Sequence, residues 1–168
     1  MRKSTPAHDA ATPATKALVA AGIPFTTHSY DHDPAAGAYG LEAAAALGLD
    51  PALVFKTLLV DSGGSLAVAI IPVNQHLDLK AVATELGAKK VTMAEVALAE
   101  RTTGYIRGGI SPIGQKRALP TLLDESASGR ERIYVSGGRR GFDVGLAPSD
   151  LVRITRARMA RIARPDRP

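Results

Sequence analysis

The sequence predicts a mixed α/β (α+β) domain, a small barrel-like mixed sheet with helices packed around it. Three observations lead there. Short β-branched runs are separated by glycine-rich turn signals, capped segments with helical periodicity lie between them, and the two kinds of element follow one another without a regular βαβ alternation. A chain of 168 residues, 45% hydrophobic and 22% charged, is long enough to bury one sizeable core.

The elements follow in order. Thr12-Pro13 gives a cap and first-turn signal, and Ala14, Ala17, Leu18 and Ala21 recur at helical spacing up to Gly22. Residues 25–30, FTTHSY, read as a strand that the turn chemistry of Asp33-Pro34 ends. An alanine-rich helix from Leu41 to Leu47 stops at Gly48. Val54 to Val60 and Ser65 to Pro72 are joined by Asp61-Ser62-Gly63-Gly64 and read as a hairpin. Its second strand, SLAVAIIP, is almost wholly apolar, which predicts burial on both faces. Asp78 caps a helix whose Leu79, Val82, Ala83 and Leu86 share one face, and Gly87 closes it. A strand at Lys90–Met93 and a helical turn or two at Ala94–Glu100 precede the glycine-rich stretch TTGYIRGGISPIGQ. Strands at Pro120–Leu123, Arg132–Val135 and Phe142–Leu146 follow, and Pro148-Ser149-Asp150 opens a last helix.

Composition narrows the chemistry. With no cysteine, the chain has no disulfide, no thiolate metal site and no thiol nucleophile of its own. Of the four histidines only His28 and His32 are close in sequence, no HExxH is present, and no metal site is expected. No GxSxG elbow marks a serine hydrolase, and neither glycine segment is a Walker A or dinucleotide fingerprint. No stretch approaches the roughly 20 apolar residues of a membrane span, and MRKSTPAHDAATPATK lacks the apolar centre of a secretion signal, so the cytoplasm is the expected location and no membrane partner is expected. The net charge of +5 favours a polyanionic partner without specifying one. Six arginines, at 153, 156, 158, 161, 164 and 167, crowd the C-terminal end, either as a solvated terminus or as an arm for phosphates. Aromatic residues are too sparse for a base-stacking sheet.

Among single positions Lys56 is the most informative. In VFKTLLV it shares a face with Val54, Leu58 and Val60, which puts a lysine in an apolar row. It is either a snorkelling stem or edge guard, or a cation placed to hold a carbonyl or phosphate. Gly108-Gly109-Ile110-Ser111-Pro112 and Ser136-Gly137-Gly138-Arg139-Arg140-Gly141 permit tight turns or the close approach of a ligand to backbone N–H groups. Asp143 lies on the opposite side of its strand from Phe142, Val144 and Leu146, which leaves it free to face water.

Taken together, HSYDHDP at 28–34, FKTL at 55–58, LDLK at 77–80, TGY at 103–105, GGISP at 108–112 with GQK at 114–116, LPT at 119–121 and YVSGG at 134–138 through Gly141 and Asp143 resemble the YbaK/EbsC family of tRNA-editing deacylases. That family is similar to the editing insertion of bacterial prolyl-tRNA synthetases. Phe55 stands where a tyrosine is common, and Arg139-Arg140 where Lys-Arg is more usual. The resemblance implies a YbaK/aminoacyl-tRNA synthetase-associated domain over residues 11–156, between a flexible N-terminus (1–10) and a basic C-terminal tail (157–168). It implies an aminoacyl-tRNA deacylase that trans-edits misacylated Cys-tRNA(Pro) without metal or cofactor, the substrate's own thiol attacking its ester and leaving as a cyclic thioester. The partner implied is the acceptor end of tRNA(Pro), with prolyl-tRNA synthetase as a further one. By position Lys56 looks like the family's essential lysine, and Tyr30, Gly108, Gly109, Ile110, Ser111, Pro112, Ser136, Gly137 and Asp143 like its substrate-binding residues. Deacylation of Ala-tRNA(Pro) through an oriented water, and a non-catalytic tRNA- or synthetase-binding module, are the competing expectations.

Overall fold

The computed structural model describes residues 11–165, so the expected N-terminal segment 1–10 lies outside the described residues, as do residues 166–168. Helix α1 (Pro13–Ala20) begins where expected. Thr12 caps it by accepting the Thr15 N–H, and the Thr12 hydroxyl also donates to the Gly137 carbonyl at 2.6 Å, which pins the helix to a distant strand. Strand β1 (Thr26–Ser29) and helix α2 (Tyr39–Leu47) follow, the latter closed by Gly48 at φ 66°. After a 3-10 turn at Pro51–Leu53 come β2 (Phe55–Asp61), β3 (Leu66–Pro72) and β4 (Gln75–Leu77). The Gly64 N–H donates to Asp61 Oδ1 in the hairpin turn, the geometry its sequence predicts.

Helix α3 (Leu79–Leu86), capped by Asp78, leads to the two-residue β5 (Thr92–Met93) and to α4 (Val96–Thr103). Strand β6 (Thr121–Asp124), a 3-10 turn at Glu125–Ala127, β7 (Ile133–Arg139), β8 (Phe142–Leu146), α5 (Pro148–Thr155), β9 (Arg158–Ala160) and β10 (Ala163–Pro165) complete the described chain.

The strands form a five-stranded mixed sheet in the order β5-β2-β3-β6-β9, a three-stranded antiparallel sheet β1-β8-β7, and the pair β10-β4. β3 lies between β2 (antiparallel) and β6 (parallel), and its residues 67–72 are all buried, as the apolar run requires. On one face Phe55, Leu59, Val68, Ile70 and Leu123 join Val135, Val144 and Leu146 of the smaller sheet, with Leu18 of α1 and Leu151 of α5. On the other, Val60, Ala69 and Ile71 meet Val82 and Ala83 of α3. The expected barrel does not close through continuous pairing. Among the described residues the two larger sheets, which share one core, are bridged through the backbone at a single parallel pair, Val54 to Tyr134.

The arginine-rich segment continues the fold through Pro165 instead of leaving it at residue 157. β9 pairs with β6, β10 with β4, and Ile162 is fully buried. The buried Asp124 carboxylate holds this segment in place: Oδ1 accepts the N–H groups of Ile162 and Ala163, and Oδ2 that of Ser126. Along 157–164 arginine recurs at every third position (158, 161 and 164), a spacing without the period-two alternation of a strand, so these strands leave no local signal and depend on their pairing.

Candidate active site

Where β7 leaves β2, a cavity of about 780 Å³ opens between the sheets, under the N-terminal end of α2. Six of the ten residues singled out in the sequence line it: Tyr30, Lys56, Gly108, Ile110, Ser136 and Asp143. Lys56 reaches it from β2, opposite Ile71 of β3, and is partly buried.

The far wall is built by strand register. Ser136 pairs with Asp143 and Asp143 with His28, which puts one residue from each of β7, β8 and β1 in a single polar row. Phe142, Val144 and Leu146 take the opposite, core-facing side. Asp143 therefore does not face water: it is 6% exposed, and burial pushes its carboxyl from 3.8 up to about 7. Burial also raises the Tyr30 hydroxyl to about 12, with smaller contributions from the charges of Asp143 and Glu42, so Tyr30 is a neutral phenol able to donate.

The mouth is formed by parts that sequence reasoning did not identify. His32 Nδ1 lies 2.7 Å from Glu42 Oε1, and Glu42 Oε2 accepts the Asp33 N–H, which ties the 31–38 loop to α2. The His32 hydrogen bond draws the Glu42 carboxyl below its ordinary range. The Tyr39 ring stacks on His32 and lies so close to Gly108 that a β-carbon there would sit 2.6 Å from it. Gly108 also has φ +83°, so glycine is required twice over. Arg140 sits 5.4 Å from the Tyr39 ring centre, and its Nε donates to the Arg107 carbonyl. The stacking partner of Tyr39 and the reach of Arg140 across 33 residues leave no periodic trace in a single sequence.

Gly109, Ser111, Pro112 and Gly137 do not line the cavity. Gly109 packs against the Arg139 backbone, and its N–H is already donated to the Ile106 carbonyl. Ser111 is fully buried, and its hydroxyl accepts the Ile113 N–H. Pro112 is buried, and Gly137 leaves room for the Phe142 ring, 2.5 Å from where a β-carbon would stand. These residues shape the loop and the β7 bend.

Residues 33–154 match the family model for the aminoacyl-tRNA editing domain. The chain belongs to the aminoacyl-tRNA editing domain family. Its relatives include an Enterococcus faecalis protein named "Putative Cys-tRNA(Pro)/Cys-tRNA(Cys) deacylase EbsC", 46% identical over 71% of this chain and 73% of that one. A proline–tRNA ligase of Shouchella clausii is 32% identical over 73% of this chain, which spans only 22% of the ligase. This editing domain also shares its fold with a solved structure described as "a putative trans-editing enzyme for prolyl tRNA synthetase", at TM-score 0.77 and 22% identity, covering 96% of this chain and 99% of that one. No metal-binding cluster of histidine and carboxylate residues occurs among the described residues, and none of their helices is long and apolar enough to cross a membrane.

Proposed function

We propose that this editing domain is a cytoplasmic aminoacyl-tRNA deacylase acting in trans on Cys-tRNA(Pro), with prolyl-tRNA synthetase as the source of its mischarged substrate. The observation that carries this reading is the convergence of Lys56, Tyr30, Ser136 and Asp143 on one cavity in a chain without a cysteine. The name borne by the Enterococcus faecalis relative points to the same substrate. In this reading Asp143 and Tyr30 receive the α-ammonium of the aminoacyl group, and Lys56 faces the ester carbonyl or the neighbouring phosphate. Arg107 and Arg140 at the mouth meet the acceptor strand.

The substrate supplies the nucleophile. Its thiol sulfur bonds to the ester carbonyl carbon, the bond from that carbon to the terminal ribose oxygen breaks, and the thiol proton ends on that oxygen. Water afterwards opens the cyclic thioester to cysteine. The protein's part is orientation and charge stabilisation, and orientation alone is worth up to about 7–11 kcal/mol of a barrier.

The test compares deacylation of Cys-tRNA(Pro), its S-alkylated form and Ala-tRNA(Pro) under multiple turnover. Rapid release from the free-thiol substrate alone is expected. Equal cleavage of the S-alkylated form overturns substrate-thiol attack in favour of an oriented water, and no release above spontaneous hydrolysis from any of them overturns catalysis altogether.

A further inference from the structure

Strand β2 has one edge that no strand among the described residues pairs with at its middle. The Val73 N–H donates to the Val54 carbonyl, and the Ser62 N–H to the Ser65 carbonyl in the same hairpin, so residues 54, 56, 58 and 60 direct their backbone groups toward β3. Residues 57 and 59 direct theirs the other way. On that side β5 takes up only Val60 and Asp61, the Leu59 carbonyl accepts the Ala94 N–H, and β7, which packs alongside, bridges to β2 only at Val54. Thr57 lies in the gap, and the whole stretch from Val54 to Leu59 lines the cavity.

A second observation singles out the same residue. Among the described residues only two buried side-chain oxygens have no hydrogen-bond partner, Thr57 Oγ1 and Ser126 Oγ. Ser126, in the 3-10 turn after β6, borders a separate, more open depression, whereas Thr57 is on the wall of the cavity that holds Lys56, Tyr30 and Asp143. A buried hydroxyl left unpaired costs about 1–3 kcal/mol, so a strand position that valine would fill equally well is held by threonine at a cost to the fold. The side chains of Lys56 and Thr57 leave β2 on opposite faces, and only at an uncovered edge do both border one space.

We infer that Thr57 is a further substrate-contacting residue of the proposed deacylase, its hydroxyl and backbone N–H donating to the carbonyl oxygen of the aminoacyl ester while Lys56 flanks that oxygen from the other face of β2. This rests on the deacylase reading above. A third of a turn about the Thr57 Cα–Cβ bond, from one staggered rotamer to the next, would turn the buried Oγ1 toward the cavity that Thr57 lines. The donors then match the charge that builds on the carbonyl oxygen as sulfur attacks. They also replace the Gly109 N–H, which the loop has already used.

The experiment measures kcat and KM for Cys-tRNA(Pro) together with Tm for the wild type, Thr57→Val and Thr57→Ser. Thr57→Val keeps the shape and removes the donor. It is expected to lower kcat by about tenfold or more, to leave KM within about threefold, and to hold Tm at or above that of the wild type. Thr57→Ser is expected to retain kcat within about threefold. Wild-type kcat in Thr57→Val overturns the inference, and so does a loss of kcat accompanied by a lower Tm, which marks a structural hydroxyl. A wild type inactive on every charged tRNA removes the deacylase reading and this inference with it. An active wild type beside an equally active Thr57→Val removes the inference alone.

Discussion

Replacing Asp143 by asparagine separates the demands of the site from those of the fold. Asp143 is 6% exposed, and burial raises its carboxyl from 3.8 to about 7. The folded protein therefore keeps a proton on Asp143 between about pH 4 and 7 that the unfolded chain has released. Stability fully present below about pH 4 is lost as pH rises toward 7, the opposite of the usual ion-paired aspartate. At about 1.4 kcal/mol per pH unit, the ionised side chain costs the fold on the order of 4 kcal/mol at pH 8. An asparagine side chain in its place cannot ionise and has nearly the same shape. Urea unfolding should therefore give similar midpoints for wild type and Asp143→Asn at about pH 3.5, and a variant more stable by about 2–4 kcal/mol at about pH 8. If Asp143 receives the substrate's ammonium as proposed, deacylation by the same variant should fall by about tenfold or more at that higher pH, because that carboxylate is gone. A stability difference that stays the same at both pH values would refute the reasoning, since it would mean that the carboxyl titrates alike in both states.

Further outcomes follow from the site and from the C-terminal strands. Lys56→Ala should lose deacylation by about a hundredfold while its circular dichroism stays that of the wild type, and Lys56→Arg should rescue little, because a planar guanidinium does not occupy the place of a compact ammonium. Truncation after Arg156 should unfold the domain instead of merely flattening the salt dependence of tRNA binding, since it removes β9 and β10 and the partners of Asp124; Asp124→Ala alone should cost about 3 kcal/mol or more in urea unfolding, as three N–H groups lose their acceptor.

The parts of the fold readable from sequence are those fixed by local physics. Thr12, Asp78, Gly48 and Gly87 bound helices as their chemistry dictates, and SLAVAIIP sits between two neighbours in the sheet. β4 and β10 were not legible, because each is three residues long and exists only through its pairing with the other. Lys56 stood out as a cation in an apolar row. Asp143 was ambiguous for a physical reason: the alternation of FDVGL fixes which face it takes, but only the arrival of β2 and α2 beyond the smaller sheet makes that face a cavity. Thr57, next to Lys56 in the same motif, gave no signal, since threonine is an ordinary strand residue and its missing partner is a tertiary fact.

The glycine loops, which permit either tight turns or the close approach of a ligand, bring Gly108, Ile110 and Ser136 to the cavity and also act on the shape of its opening. β7 starts beside β2 at the Val54–Tyr134 bridge, and further pairing in register would have covered the edge at Lys56 and Thr57. Its register against β8 instead breaks between Ser136 and Arg139, where Gly137 yields to the Phe142 ring and Gly138 takes φ 108°. At the other end of the gap, β5 stops after two residues, and the chain turns into α4 once Ala94 has bonded to Leu59. Full pairing on both sides would give a closed sheet of higher stability and no site. The bulge at Gly137-Gly138 and the brevity of β5 together leave β2 unpaired at its middle, where Lys56 and Thr57, on opposite faces of the strand, border one cavity. In the proposed reading, a chain without a cysteine relies on its fold for orientation: an edge held open, with donors on both sides of it.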